Sequence, residues 1–443
     1  MEASYRSVKT ILRIALPVMI GSLANNIINL VDTSLLGRVG QVELGAGAIG
    51  SIFYFVMYMS GFAFNTGMQI LIARRMGEGR KEDIGRITDH QLFIIGGVAL
   101  LAFLFMQLLS APLFGLIISS DAVRSAALEF IFYRSFGIFP GIMNSFFLSF
   151  FIGIGRTGIA TFTMLGLALI NTVLAYALIF GALGFPELGI GGAGLASAIA
   201  ELVVCIIYFI YIHYSGYRKQ YRLFTFVQTE LSLIKKTLNL SYPLVFQQLL
   251  SITTWFGFFL IIENLGEREL AESNIVKGIY VFWGIPSWAF GATANTMVSH
   301  VLGQGKAEWV KPVVIRICTI NTLITLCACI LLMVFPHFFI SMFTDDQSLY
   351  PGSNAILPAV ILALLFFPSS FVVLMSVSGT GSSKVALCIE LISVSAYILY
   401  TYLTARVFEA SLSVVWGAEA LYWVTTLILG LLYFRFGKWN KTI

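Results

Sequence analysis

The sequence predicts an all-α integral membrane protein, with twelve transmembrane helices in two six-helix bundles that form a parallel 6+6 repeat. Three observations lead to this prediction. Hydrophobic residues make up 58% of the 443-residue chain and charged residues only 11%, whereas soluble domains carry about 25% charged residues. Twelve apolar stretches are long enough to cross a bilayer. The two halves of the chain also match each other at a fixed offset of 226 residues.

The twelve apolar stretches give the elements of this fold in order. They are 11–36, 46–72, 90–117, 126–152, 159–182, 191–214, 239–264, 274–302, 312–340, 354–377, 384–408 and 412–436. Each exceeds the roughly 20 residues that a helix needs to span a membrane. Transmembrane β-strands would instead be about ten residues long with alternating hydrophobicity. The stretches do not alternate in that way, so helices are predicted throughout.

The basic residues predict how these helices are oriented. Only six of the 27 Lys and Arg residues lie on one side of the predicted membrane; they are Arg38, Arg124, Arg134, Arg268, Lys277 and Arg406. Cytoplasmic loops carry an excess of Lys and Arg, so the richer side, with both termini, is predicted to be cytoplasmic. We expect a multi-pass protein of the plasma (inner) membrane. The net charge of +5 is then a topology signal, and no nucleic-acid partner is expected.

The internal repeat is visible in matched prolines and glycines. Pro17 matches Pro243, and the polar segment RRMGEGRKE (74–82) aligns with HVLGQGKAE (300–308), with both glycines kept. Similarity between apolar segments alone does not explain matched glycines in polar loops. Because each half has an even number of spans, both halves enter the membrane in the same direction. The repeat is therefore parallel, with its axis along the membrane normal.

The repeat also predicts the domain organisation. We expect an N-terminal six-helix lobe at 1–214, a basic cytoplasmic linker at 215–238 and a C-terminal six-helix lobe at 239–443. Two such lobes facing each other would leave a cleft that suits alternating access. The chain is expected to act as a monomer within membrane lipid.

A line of polar residues follows one face of the first span. Asn25, Asn29 and Asp32 are spaced i, i+4 and i+7, which places them on one side of a helix. A charged Asp near a helix centre costs about 2.5–3.5 kcal/mol on insertion scales, and such residues usually face a protein interior or a wet cavity. The pattern predicts an ion-coupling group. The alternative is a solvated Asp at the outer interface, since about 19 residues at 1.5 Å each separate it from Arg13.

Other polar residues within the spans are candidates as well. Asn65 and Gln69 could line the same cavity as Asp32 and contact substrate, or they could bond across helices. Glu201 could join the coupling site or pair with a neighbouring helix. Glu390 lies six residues after Lys384 and could extend to the cytoplasmic interface.

In the second half, two residues are candidates for binding substrate. Trp255 and Gln248 could accept a flat organic cation through stacking, cation–π contact and an amide.

Three stretches carry a resemblance to a known family. ALPVMIGSLANNIINLVDTSLLGRVGQVELGA, INTVLAYALIFG (170–181) and FPELGIGGAGLASAIAE (185–201) occur in this order. They resemble the multidrug and toxic compound extrusion family, and the resemblance covers essentially the whole chain. It implies a cation- or proton-driven antiporter that expels small organic compounds, which are often cationic, with no cofactor besides the coupling ion.

The resemblance also assigns roles to single residues. Asp32 matches the family's coupling Asp, Asn171 matches an Asn of the bacterial cation site, and Ser197 lies near a hydroxyl ligand. Many bacterial members have a second Asp where this chain has Ala175. With one carboxylate lost, coupling to H⁺ is favoured over coupling to Na⁺, and a Na⁺ ion at Asp32 and Asn171 is the alternative.

Three other functions compete with this interpretation: a flippase, a receptor and an enzyme. A lipid-linked oligosaccharide flippase of the same superfamily would need a cationic cleft, but the intramembrane charges here are acidic. A non-transporting membrane receptor would not need the repeat. An enzyme is not expected, because the four histidines form no paired motif; they are His90, His213, His300 and His337.

Overall fold

A computed structural model describes residues 7–226 and 230–439, and within these ranges the chain is helical and contains no β-strand. The α-helices are α1 (Val8–Val39), α2 (Gln41–Gly77), α3 (Glu82–Ile117), α4 (Asp121–Arg134), α5 (Ile138–Gly153), α6 (Gly158–Phe180), α7 (Gly189–Tyr214), α8 (Tyr217–Tyr221), α9 (Leu231–Glu263), α10 (Glu267–Gly303), α11 (Val310–Val334), α12 (Pro336–Ser341), α13 (Tyr350–Gly379), α14 (Ser383–Tyr402) and α15 (Leu412–Phe436). The predicted all-α membrane fold is confirmed.

Each predicted span coincides with helical structure. The span 126–152 covers α4 and α5, which a short 3₁₀ turn at Ser135–Gly137 joins. Within the described residues, eleven helices are long and apolar enough to cross a membrane, with α4 and α5 counted together. The remaining predicted span, 274–302, lies in α10, which is 37 residues long. Polar residues such as Ser287, Thr293 and Asn295 interrupt its apolar run, and all three are buried in the protein.

The helices reproduce the repeat that the sequence predicts. Helices α2 and α10 have the same length, and both their ends are separated by the 226-residue offset. Matching helix contacts recur as well. A Cβ added to Gly153 would lie 3.2 Å from the carbonyl oxygen of Gln69, and one added to Gly379 would lie 2.5 Å from that of Asn295. The same pair of positions is therefore in close contact in both halves.

Contacts within the chain divide it into two compact units. One comprises Ile20–Val245, and the other combines Met1–Met19 with Phe246–Ile443. Helices α1 and α9 therefore contribute residues to both units. In the second unit, Ile11 and Ile14 of α1 pack in a hydrophobic core with residues of α10 and α11. The lobes 1–214 and 239–443 and the linker 215–238 follow the repeat instead and stay a prediction; residues 1–6, 227–229 and 440–443 of these ranges lie outside the described residues.

Candidate functional site

Three helices of the unit Ile20–Val245 bring Asp32, Asn171 and Ser197 together. The Nδ2 of Asn171 on α6 donates a hydrogen bond of 2.9 Å to Asp32 Oδ1 on α1. The hydroxyl of Ser197 on α7 donates one of 2.9 Å to Asn171 Oδ1. Asn171 and Ser197 are buried and Asp32 is half-buried. The result is a continuous chain of carboxylate, amide and hydroxyl groups across three helices.

Small residues allow α1 and α6 to approach each other beside this chain. Ala24 packs in a small apolar cluster with Met164 and Ala168, and a Cβ added to Gly21 would lie 3.1 Å from Met164 Cγ. Helix contacts in membranes commonly use such small residues. Asn171 lies three residues after Ala168, so it falls on the same face of α6. Packing of Ala24 against Met164 and Ala168 thus helps to position Asp32 and Asn171, which lie further along the same two helices.

The two oxygens of Asp32 have different surroundings. Oδ1 is held by Asn171, whose orientation Ser197 fixes because a hydroxyl donor must face the amide oxygen. No described residue donates a hydrogen bond to Oδ2, and none forms an ion pair with this carboxylate. One oxygen is therefore anchored, while the other is available to a proton or a cation.

The other two residues of the predicted polar line are not part of this chain. Asn25 and Asn29 are exposed on α1, and in the described structure neither hydrogen-bonds to Asp32. The carbonyl oxygen of Asn29 accepts a hydrogen bond of 2.7 Å from the Thr33 hydroxyl. The helix periodicity predicts that Asn25, Asn29 and Asp32 share one face of α1, but residues on one face need not hydrogen-bond to each other.

Glu201 forms a two-pronged ion pair with Arg134. The guanidinium donates hydrogen bonds of 2.9 and 2.7 Å to the two carboxylate oxygens, and the Tyr54 hydroxyl donates a third of 3.0 Å. The guanidinium also stacks 3.5 Å from the Tyr54 ring centre. Glu201 thus pairs with neighbouring helices, the second of the two readings left open above. The partner that sequence reasoning missed is Arg134, which is among the six basic residues on the predicted non-cytoplasmic side.

Asn65 is buried in a network between α2, α3 and α5. Its Nδ2 donates 2.7 Å to Ser145 Oγ and 3.1 Å to the carbonyl oxygen of Ile142, and its Oδ1 accepts 3.0 Å from Gln91 Nε2. Gln69, one turn later, is buried too. The amide of Asn65 therefore bonds across helices, which was one of its two predicted uses.

The two substrate candidates of the second half lie in the unit that contains Phe246–Ile443. Trp255 is half-buried, and its ring centre lies 5.8 Å from that of Tyr280 and 6.1 Å from that of Phe259. Gln248 is also half-buried. Trp255 is thus one member of an aromatic group with a partly accessible face.

This same unit contains two buried carboxyl groups, of which sequence reasoning named Glu390 and missed Glu419. Glu390 on α14 and Glu419 on α15 are both almost fully buried, and no described residue forms an ion pair with either. The Tyr397 hydroxyl donates a hydrogen bond of 2.9 Å to Glu419. The available signal was an acid within a long apolar stretch. Within the described ranges, no three His, Cys, Asp or Glu side chains cluster as metal ligands would.

Comparison with known families gives a match over both halves. A family model described as MatE matches residues 17–177 and 243–403. The first residues of these two segments are separated by the same offset as the internal repeat.

Curated relatives carry the name "Probable multidrug resistance protein NorM". That of Pasteurella multocida is 25% identical over 365 residues, which cover 81% of this chain and 77% of the relative. That of Thermotoga maritima is 24% identical over 441 residues, with 98% and 93% coverage.

Solved structures share the fold over nearly the whole chain. A MOP superfamily transporter from Pyrococcus furiosus, for which a reversed polarity of the binding pocket is said to suggest a different function, has a TM-score of 0.91 at 19% identity, covering 99% of this chain and 98% of its own. The Vibrio cholerae MATE transporter VcmN, in a mutant form, has a TM-score of 0.88 at 19% identity and covers 99% of both chains. At these identities the likeness concerns the fold alone.

Proposed function

Because the chain belongs to the MatE family, that is, the multidrug and toxic compound extrusion family, we propose that it expels small organic compounds in exchange for a cation. The family model covers both halves, and curated relatives of nearly equal length are named as multidrug resistance proteins. We infer that the transported compounds include organic cations. The protein is a multi-pass membrane transporter and not an enzyme.

The observation that carries the coupling proposal is the uneven environment of Asp32. Asn171 anchors one oxygen, and the other has no donor among the described residues. A cation that binds there neutralises the charge, and its release restores it. Antiport requires that cation and substrate favour different conformations of the transporter. We propose that Asp32 binds its cation from the outside and releases it to the cytoplasm, with substrate moving the other way.

H⁺ is the coupling ion that the site supports best. Na⁺ prefers several hard oxygen ligands, and Asp32 is the only carboxylate that takes part in the hydrogen-bond chain with Asn171 and Ser197. The adjoining turn of α6 carries the buried Ala175. A proton needs only the free oxygen of Asp32. We therefore propose H⁺ coupling, with Na⁺ at Asp32 and Asn171 as the competing assignment.

The remaining candidates receive more limited roles. We propose that Asn25 and Asn29 provide a polar path along α1 towards Asp32, because they are exposed on its face. Trp255 is proposed to contact the substrate through its accessible ring face, where a cation–π contact would be worth about 0.5–2 kcal/mol; Gln248 supplies an amide nearby. Glu201, Asn65 and Gln69 are proposed to hold the helices around the site and to influence it indirectly.

The test is transport by purified protein in liposomes. A fluorescent organic cation is supplied, and either a pH gradient or a Na⁺ gradient at uniform pH is imposed. Wild type should move the dye only with the pH gradient. Asp32→Asn should lose at least about tenfold of this flux, which corresponds to about 1.4 kcal/mol. The control Asp121→Asn changes an acid that is 85% exposed and should transport normally.

Each other outcome has a definite meaning. Full pH-driven flux by Asp32→Asn would reject Asp32 as the coupling group. Flux of the wild type with the Na⁺ gradient alone would assign coupling to Na⁺. A wild type that binds the dye but moves it under neither gradient would favour a non-transporting receptor.

A further inference from the structure

Glu390 is a buried acid, and among the described residues its hydrogen-bond donors are all neutral groups. It is 1% exposed. The Ser251 and Tyr422 hydroxyls donate hydrogen bonds of 2.6 and 2.7 Å to its Oε1, and Gln247 Nε2 lies 3.4 Å from its Oε2. An ionised carboxylate removed from water costs several kcal/mol unless it is paired. Neutral donors offset part of this cost, so the group is poised between two charge states.

Gln247 can serve either charge state of Glu390. Its side chain is 6% exposed, and its Oε1 is buried without a hydrogen-bond partner. Because no described residue holds that oxygen, the amide can turn over in place: its NH₂ end donates to a carboxylate, and its oxygen accepts from a carboxylic acid. Asn171 differs in this respect, since Ser197 holds its oxygen.

Glu390 lies at a helix contact that is present in both halves of the internal repeat. At the 226-residue offset, Gln247 and Glu390 correspond to Gly21 and Met164, which also touch each other. The contact between the first and fifth spans is therefore apolar in the first repeat and polar in the second. The reverse holds for Asp32 and Asn171, whose counterparts are rings in contact.

Those counterparts are Phe258 and Tyr397, with ring centres 5.5 Å apart. Each repeat thus has one acid at a contact between its first and fifth spans, but at a different position.

The ionisable groups around Glu390 include no basic partner for it. Helix α15 contributes Tyr422 and, near by, Glu419, and α14 itself contributes Tyr397 and Lys384. Residues 246–259 of α9 and the whole of α13 contain no Asp, Glu, Lys, Arg or His. The structure records no ion pair between Glu390 and any described residue. Within the described structure, the carboxyl of Glu390 therefore has neutral hydrogen-bond donors and no cationic partner.

We propose that Glu390 is a second protonation site, located in the second repeat, with Gln247 as its reversible hydrogen-bond partner. A proton from water bonds to Oε2, the amide turns, and the new O–H donates to Gln247 Oε1. On release, the proton returns to water and the amide turns back. This proposal does not depend on Asp32 or on the transported substrate, because protonation can be followed in the resting protein.

Infrared difference spectroscopy between acidic and alkaline buffers tests it on the full-length protein in lipid. The wild type should show a protonated-carboxyl component that Glu390→Gln loses. Glu263→Gln, which changes an exposed acid on the adjoining helix, should keep it. Gln247→Leu should keep the component but shift its frequency, because the acceptor is gone; this variant also serves if Glu390→Gln does not fold.

Three results would overturn the proposal. One is a Glu390→Gln spectrum that matches the wild type while Gln247→Leu leaves every carboxyl component unshifted. Another is a component that Na⁺ removes at constant pH, which would make the site a metal-ion site instead. Loss of the component in Glu419→Gln alone would assign it to that residue and would equally refute the role of Glu390.

Discussion

Asn171 links Asp32 to Ser197 through the two ends of one amide, so the three residues should not act independently. A hydrogen bond to a charged group is worth about 1.5–3 kcal/mol and a neutral one about 1 kcal/mol. Asn171→Leu removes the bond to the carboxylate. Ser197→Ala removes only the group that orients the amide.

We expect Asn171→Leu to reduce pH-driven dye flux about tenfold or more and Ser197→Ala about three- to fivefold, given about 1.4 kcal/mol per factor of ten. The double variant should be no worse than Asn171→Leu alone, because Ser197 acts through Asn171. Initial rates in liposomes at matched protein content measure all three. Fully multiplicative losses would show that Ser197 has a role of its own.

Ala175 is the position where a second carboxylate would change the ion. It is buried and lies one helical turn after Asn171, on the same face of α6. Ala175→Asp should add a hard oxygen ligand next to Asp32 and make a Na⁺ gradient able to drive dye flux. Ala175→Asn has a similar size without the charge and should remain driven by pH alone. A folded Ala175→Asp protein that shows no response to Na⁺ would contradict the assignment of this position.

At the level of single residues, polar groups within apolar helices are informative because they have to satisfy each other. The sequence predicts a site with Asp32, Asn171 and Ser197; the structure joins these three by hydrogen bonds, and their role in coupling stays a prediction. Asn25 and Asn29 were placed on the correct helix face, but periodicity alone does not say which residues a face will touch. The sequence leaves open whether Glu390 extends towards the interface. Its burial could not be predicted, because its three donors lie on α9 and α15, and the sequence does not show which helices meet α14.

At the scale of helices, each apolar stretch coincides with helical structure, and helix ends were less well predicted. Helix α2 begins at Gln41 and α10 at Glu267, before their apolar stretches, because a helix can continue beyond the bilayer with polar side chains. Hydropathy is also least informative for α10, whose buried Ser, Thr and Asn residues pack against protein. Partners such as Arg134 and Glu201 escape sequence reasoning because they lie on different helices.

The ion pair between Arg134 and Glu201 is expected to stabilise the packing of α4 against α7. Both side chains are 12% exposed. Loss of one partner from a buried pair typically costs about 3–5 kcal/mol, whereas replacing both by apolar residues can be nearly neutral. Glu201→Gln and Arg134→Gln should each lower the melting temperature in detergent, and Arg134→Met with Glu201→Met should restore much of it.

Arg124→Gln is the matched control, since Arg124 lies on the same helix and its ion pair with Asp121 is exposed. Exposed pairs are worth about 0–1 kcal/mol, so its melting temperature should hardly change. If Glu201→Gln kept full thermal stability but lost pH-driven flux, Glu201 would belong to the coupling machinery and not to the packing of these helices.

At the scale of the whole molecule, the repeat conserves contact points and varies their chemistry. The contact between positions 21 and 164 in the first half recurs between positions 247 and 390 in the second. The contact between positions 32 and 171 likewise recurs between positions 258 and 397. A sequence alignment of the halves predicts that such positions correspond. It does not predict which of them is polar, because helix packing accepts either a ring pair or a hydrogen-bonded pair at one contact.

The number of spans determines the orientation of the termini, and this can be measured. Eleven described helices are apolar enough to cross a membrane; if α10 spans as well, both ends of the chain lie on one side. The distribution of Lys and Arg predicts that this side is the cytoplasm. A fluorescent protein fused after residue 443 should therefore fluoresce, and alkaline phosphatase at the same point should be inactive.

Fusions after Ile118, between α3 and α4, should give the opposite pattern, and this control shows that both reporters work. An active phosphatase at the C-terminus, together with a cytoplasmic N-terminus, would mean that α10 does not cross the bilayer. The second repeat would then be inverted relative to the first from α11 onward. Because α2 and α10 contact the glycines at 153 and 379 at matched positions of the repeat, we expect the two helices to cross the bilayer alike, which gives twelve crossings.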